Sequence, residues 1–288
     1  MLIKYLKIFH KLIRTYLSLA ITFSALTGYI FFKHSIDLNC MYSIIGVFLM
    51  SGSALTLNSY QERFEDALME RTKNRPLALK QVEPLLAIMI SLFLGILGFT
   101  LLFLLTTKTT ALLSGFTLLW YNGIYTPLKK KTAFAVLFGA LTGALPLIIG
   151  YTAAYGSALD SGIIVLAVFM FLWQIPHFWL LMIQYRNDYK SAGFAVTPKG
   201  LNEAGLKRII FIWILASIVC SFSFPFFNVI SSKIFIIVLV AINSLFILFF
   251  ARQLISEVSD ISYKNIFRWI YLYQVLILIL IAMDAVFS

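Results

Sequence analysis

Asn58, Glu62 and Asp66 stand four residues apart in a 288-residue chain that carries only 12 Asp and Glu, four of them within NSYQERFEDALMERTKNRPL (58–77). On a helix, this i, i+4, i+8 spacing lines three oxygen-bearing side chains along one stripe, neighbours ~6 Å apart. Hard oxygen ligands in a row suit Mg²⁺, which takes one or two carboxylates, keeps waters and fills its other positions with substrate phosphate oxygens. Arg71, Lys73 and Arg75 follow at once. They would repel a bare cation but complement a diphosphate bound to it. A solvated helix laced with i, i+4 salt bridges would show the same composition. Against that reading, the stripe begins at the end of an apolar run, where a polar group without a task is disfavoured.

A second charged segment, QYRNDYKSAG (184–193), has Asp188 as its one acid, with Arg186 and Lys190 beside it and Tyr185 and Tyr189 around it. If the two segments meet at a shared mouth, Asp188 could supply a carboxylate for a second metal ion. A third basic element, YNGIYTPLKKKT (121–132), holds Lys129, Lys130 and Lys131. Plain topological anchoring accounts for any one of them, while Lys129 or Lys130 could reach the phosphates.

The elements that must position these groups are membrane helices. Of the residues, 61% are hydrophobic and 12% charged, and the apolar runs reach the ~20 residues that a bilayer crossing needs. Helices are expected because lipid leaves unpaired backbone groups no partner and the alternation of a barrel strand is absent. Nine spans are predicted, from Thr15 to Phe32, Met41 to Asn58, Pro84 to Leu105, Thr109 to Pro127, Thr132 to Tyr155, Ser161 to Gln184, Arg208 to Ile230, Lys233 to Phe250, and Asn265 to Phe287. The fold class is therefore all-α, a polytopic membrane protein with one transmembrane domain over 1–288. Its two long loops, about 59–83 and 185–207, lie four spans apart.

With the N-terminus cytoplasmic and the C-terminus on the opposite side, twenty of the 23 Lys and Arg fall on the cytoplasmic face and only Lys33, Lys108 and Lys233 opposite. This is a strong positive-inside pattern. The net charge of +11 thus needs no nucleic acid as partner: it is concentrated on the face that meets anionic membrane lipids and that could meet an anionic substrate. Residues 1–14 read as a basic amphipathic surface helix bearing Lys4, Lys7, Lys11 and Arg14. Cys40 and Cys220 are too far apart in sequence and depth for a disulfide or metal pair.

NSYQERFEDALMERTKNRPL resembles the first aspartate-rich motif, N-x-x-x-D-x-x-x-D, of the UbiA superfamily of intramembrane prenyltransferases. Within it, MERTKNRPL, YTPLKKKT, GALTGALPLIIGY, WQIPHFW and DYKSAG resemble the protoheme IX farnesyltransferases, or heme O synthases. Asn58 and Asp66 match the motif directly. Glu62 stands where Asp is usual, Phe64 where a further Asp is common, and Asn187 where an acid is common. RTY replaces the usual Lys-Pro-Arg near the N-terminus, and AVTP (195–198) replaces PMLP.

The resemblance implies a nine-helix UbiA-like bundle whose central cavity opens to the cytoplasmic side of a bacterial-type inner membrane. There farnesyl diphosphate and heme b would meet with Mg²⁺ as cofactor, giving heme O. Heme A synthase or a terminal oxidase would be assembly partners. On this reading Asn58, Glu62, Asp66 and Asp188 hold the metal, and Arg71, Lys73, Arg75, Lys129 and Lys130 take the diphosphate. Tyr125, Trp173, His177 and Tyr185 face prenyl group or heme. Aromatic faces of Tyr121, Tyr125, Trp173, Phe178 and Trp179 would shelter the carbocation. His177, eleven residues before Asp188 and thus ~16 Å along a continuous helix, is either a satisfied core histidine or a heme contact. Two alternatives stand beside this reading: a UbiA enzyme for an aromatic or quinone-precursor acceptor, and a non-catalytic heme or lipid carrier or scaffold.

Overall fold

Apolar runs of this length can satisfy their backbone only internally, and in the computed structural model of the chain every one of them is helical. The structure describes residues 2–195, 203–255 and 263–287. In chain order these form α1 (Leu2–Leu12), α2 (Thr15–Lys33), α3 (Leu38–Gln61), α4 (Arg63–Leu68), α5 (Pro84–Leu105) and α6 (Lys108–Trp120). After a π-helical turn (Tyr121–Tyr125) come α7 (Thr126–Leu128), α8 (Ala135–Ala153), α9 (Ser161–Gln184), α10 (Arg186–Ser191), α11 (Glu203–Phe222), α12 (Lys233–Ile255) and α13 (Tyr263–Phe287). The tail of the 185–207 loop, including most of AVTP and Lys199, lies outside the described residues.

Among the described residues, eight helices are long and apolar enough to span a membrane: α2, α3, α5, α8, α9, α11, α12 and α13. The chain is a multi-pass membrane protein. The expected fourth span is helical from Lys108 to Leu128 but is broken by the π turn, so it does not count as a single regular helix. The seventh ends at Phe222, not Ile230, because Pro225 sits in a 3₁₀ turn at Phe224–Phe227.

Local chemistry sets the ends. The Asp37 carboxylate accepts from Cys40 N at 2.9 Å to cap α3, Thr107 Oγ1 accepts from Thr110 N at 3.1 Å to cap α6, and Pro84 opens α5. Arg14, in the left-handed conformation (φ 47°), separates α1 from α2. Helices α2 and α8 cross with backbones touching: a Cβ at Gly28 would overlap the Leu147 carbonyl, and one at Gly150 that of Ala25.

Hydrogen bonds across the bundle define its two ends. His34 Nδ1 meets Ala285 O (2.6 Å) and Thr107 Oγ1 donates to Thr152 O (3.2 Å) at one end. At the other, residues 14, 58 and 126 are linked, as are 71 and 188. That second end carries the bases. There α1 packs its Leu12 against Leu77, Val82 and Ala87 of and beyond the 59–83 loop, leaving Lys4, Lys7 and Lys11 exposed.

Candidate active site

Backbone bonds carry the polar stripe across a helix break. Glu62 N donates to Asn58 O (2.9 Å) and Asp66 N to Glu62 O (2.7 Å), so the three side chains keep one face although α3 gives way to α4 at Glu62. All three are buried, at 0, 4 and 1% exposure. Phe64 points away, exposed beneath the Arg63 guanidinium.

Every member of the stripe has a partner from another segment or turn. Arg14 Nη2 donates to Asn58 Oδ1 at 2.9 Å, and Asn58 Nδ2 donates to Thr126 Oγ1 at 3.0 Å. Lys129 forms an ion pair with Glu62. Arg75 Nη1 reaches both oxygens of Asp66, at 2.6 and 2.7 Å. Lys130 pairs with Glu65 at 2.5 Å on the rim. Three cations, Arg14, Arg75 and Lys129, therefore surround two buried carboxylates.

The electrostatics favour an arriving anion. Burial and the neighbouring charge of Arg14 pull the Arg75 guanidinium down to about 10, against the opposing pull of Asp66. Burial opposes charge on Glu62, yet Lys129 holds its carboxyl below the usual range. Burial likewise opposes charge on Lys129, which Glu62 nonetheless holds above its ordinary value.

The two long loops meet. Asp188 Oδ2 accepts from the Arg71 backbone N–H at 3.0 Å, and Ser191 Oγ donates to Leu68 O at 3.2 Å. The Arg71 guanidinium lies 5.1 Å from the Tyr185 ring centre and donates to Tyr189 Oη at 3.4 Å. Asp188 thus ties the loops together, and among the described residues no three of His, Cys, Asp and Glu converge into a metal cage. Lys73 lies apart from the stripe: it pairs with Glu70 at 2.5 Å, with the Glu70 side chain largely and the Lys73 side chain about half in solvent.

Directly inward lies a cavity of about 520 Å³, walled by α2, α3, α6, α8, α9 and α13, a size typical of ligand sites. Ala54 and Leu55, a turn from Asn58, line it, as do Tyr121 and Tyr125, so the polar stripe continues the cavity wall. Trp173, His177 and Phe178 line it too. Trp179 does not: it is buried in the core cluster behind. Tyr185 stays at the mouth against Arg71.

The His177 ring lies among Trp173, Phe267 and Phe178, centroids 4.8, 5.0 and 5.5 Å away, with its Nδ1 buried and without a hydrogen-bond partner among the described residues. α9 stays helical through Pro176 but ends at Gln184. His177 and Asp188 therefore do not share one continuous helix.

Four contributors escape a reading by spacing. Arg14 looks like one more surface base, yet it turns inward. Thr126 accepts from Asn58, and Gln61 Nε2 donates to Asn122 O at 3.0 Å, leaving Gln61 Oε1 and Asn122 Oδ1 buried without partners among the described residues. The π turn that presents Asn122 and Tyr125 is of a kind concentrated at functional sites.

The residues present fit a hard divalent cation: two buried carboxylates and an amide oxygen on one face, with the remaining positions left to water and phosphate oxygens. A model of the UbiA prenyltransferase family matches residues 18–272. The protoheme IX farnesyltransferase of Christiangramia forsetii is 32% identical over 264 residues, covering 90% of this chain and 86% of that protein. That of Geobacter sulfurreducens is 34% identical over 223 residues, covering 77% and 82%. Among solved structures, a digeranylgeranylglyceryl phosphate synthase superposes with a TM-score of 0.79 at 17% identity, over 98% of this chain and 99% of that one. A UbiA homolog from Archaeoglobus fulgidus, bound to DMAPP and Mg²⁺, gives 0.70 at 13%, over 96% and 98%.

Proposed function

This chain belongs to the UbiA prenyltransferase family, and we propose that it transfers the farnesyl group of farnesyl diphosphate to a vinyl group of heme b, placing a hydroxyl on the adjacent carbon to give heme O. The observation that carries the reading is the buried Asn58–Glu62–Asp66 stripe, ringed by Arg14, Arg75 and Lys129, at the head of a cavity of about 520 Å³. Relatives 32 and 34% identical bear the name protoheme IX farnesyltransferase, which favours heme as acceptor.

Arg75 and Lys129 bind the diphosphate by turning from Asp66 and Glu62 to its oxygens, which frees both carboxylates. Asn58, Glu62 and Asp66 would hold magnesium, which would supply positive charge that lowers the cost of breaking the allylic C–O bond. Arg14 keeps the Asn58 oxygen oriented, and Arg71, from the first loop, closes the mouth against Tyr185 and Tyr189 of the second. Asp188 holds Arg71 there. The developing carbocation lies against Tyr121, Tyr125, Trp173 and Phe178, whose faces stabilise positive charge. His177 contacts the heme, and the apolar walls keep bulk water out. The base-rich end faces the cytoplasm of a bacterial-type inner membrane.

Purified protein incubated with heme b, farnesyl diphosphate and Mg²⁺ is expected to yield farnesylated, hydroxylated heme by mass spectrometry. Product with a hydroxybenzoate or quinone precursor and none with heme would replace heme as the acceptor.

A further inference from the structure

Behind Tyr125 lies a second chamber, of about 20 Å³, which shares the side chains of Tyr125 and Phe178 with the main cavity. That is room for one water molecule and for no organic group. Lys129, Thr132 and Tyr189 also line it, with Ala135 closing one side, so hydroxyl- and ammonium-bearing side chains from two segments converge on a space walled elsewhere by apolar groups. Tyr125 is only 7% exposed as a residue, yet its hydroxyl oxygen is accessible to a water molecule and makes no hydrogen bond among the described residues. A hydroxyl to which the protein offers no partner is ordinarily satisfied by ordered water.

We infer that this chamber holds the water that ends the reaction, with Tyr125 as its positioning residue; the inference rests on the heme reading above. Bonding of the farnesyl C1 to the terminal vinyl carbon leaves positive charge on the vinyl carbon next to the porphyrin. The water oxygen supplies both electrons of the new C–O bond, and the proton it sheds passes to the diphosphate released in the same turnover. No oxidant or reductant is needed. Where no water is held in place, the same cation loses a proton instead and yields an alkene lighter by one water. Where the walls around the cation are apolar, that choice depends on whether a water is held beside it.

The test compares wild type, Tyr125→Phe and Ala135→Val, each incubated with heme b, farnesyl diphosphate and Mg²⁺, and reads the ratio of dehydrated to hydroxylated adduct by mass spectrometry. Tyr125→Phe removes the hydroxyl, and Ala135→Val fills the chamber while leaving the hydroxyl in place. Both are expected to raise the ratio about tenfold, the size of one lost hydrogen bond; a merely structural defect lowers total product without moving the ratio. If Tyr125→Phe fails to fold, Ala135→Val decides. An unchanged ratio in a folded variant, or a wild-type adduct without hydroxyl, overturns the inference. Absence of any heme adduct from wild type overturns the heme reading itself.

Discussion

Arg14 and Asn58 are 44 positions apart, and Arg14 Nη2 donates to Asn58 Oδ1 at 2.9 Å. The bond joins the hinge of the basic surface helix to the first member of the polar stripe. Arg14→Lys keeps the charge but loses the planar donor that fits the amide. It is expected to raise KM for farnesyl diphosphate about tenfold, as one charge-assisted hydrogen bond is worth, with KM for heme unchanged in steady-state assays.

Asp66, at 1% exposure, is held by Arg75 through both oxygens. Asp66→Asn keeps the shape and removes the charge on which metal and base both depend. Turnover is expected to fall at least about a hundredfold, the scale of losing a preorganised electrostatic group, and chelation of Mg²⁺ should silence wild type. By contrast, Lys73→Ala removes only a surface pair with Glu70 and should leave product formation within about twofold. A large loss in Lys73→Ala would return that residue to the diphosphate site.

The Glu62–Lys129 pair sets a pH window. Glu62 titrates below the usual carboxylate range, so its contribution is present above the unfolded value of about 4.3 and fades as pH falls through the lower folded value. Lys129 titrates above its ordinary value, so its contribution holds below about 10.4 and fades as pH rises through the higher folded value. Thermal stability in detergent should therefore be flat across this pair between about pH 5 and about pH 10. Glu62→Gln strands a buried ammonium and is expected to cost about 3–5 kcal/mol, read as a lower Tm throughout that window. A variant as stable as wild type at pH 7 would show that the pair contributes nothing.

How much of this was legible in the sequence depends on how local each feature is. Span limits at Thr15, Pro84, Ser161 and Gln184 follow from runs of apolar residues closed by charge or proline, and the structure places helix ends there. The i, i+4 stripe is local too, and its face survives the break at Glu62 because the backbone ladder continues. The π turn is not legible, since one extra residue per turn leaves no change in hydrophobic pattern. Arg14 escapes because its partner is 44 residues away, and the outward turn of Lys73 depends on loop geometry that charge spacing does not encode.

His177 carries the last expectation. Its imidazole sits in the cavity wall among Trp173, Phe267 and Phe178, with Nδ1 buried and unpartnered among the described residues. An aromatic replacement preserves that packing and removes both ring nitrogens. If the ring contacts heme, His177→Phe should weaken heme binding about tenfold, the worth of one hydrogen bond or more, measured by titrating the Soret band, while farnesyl diphosphate affinity stays the same. Equal heme affinity in wild type and variant would leave His177 as packing alone and shift heme recognition to the aromatic walls of α9 and α13.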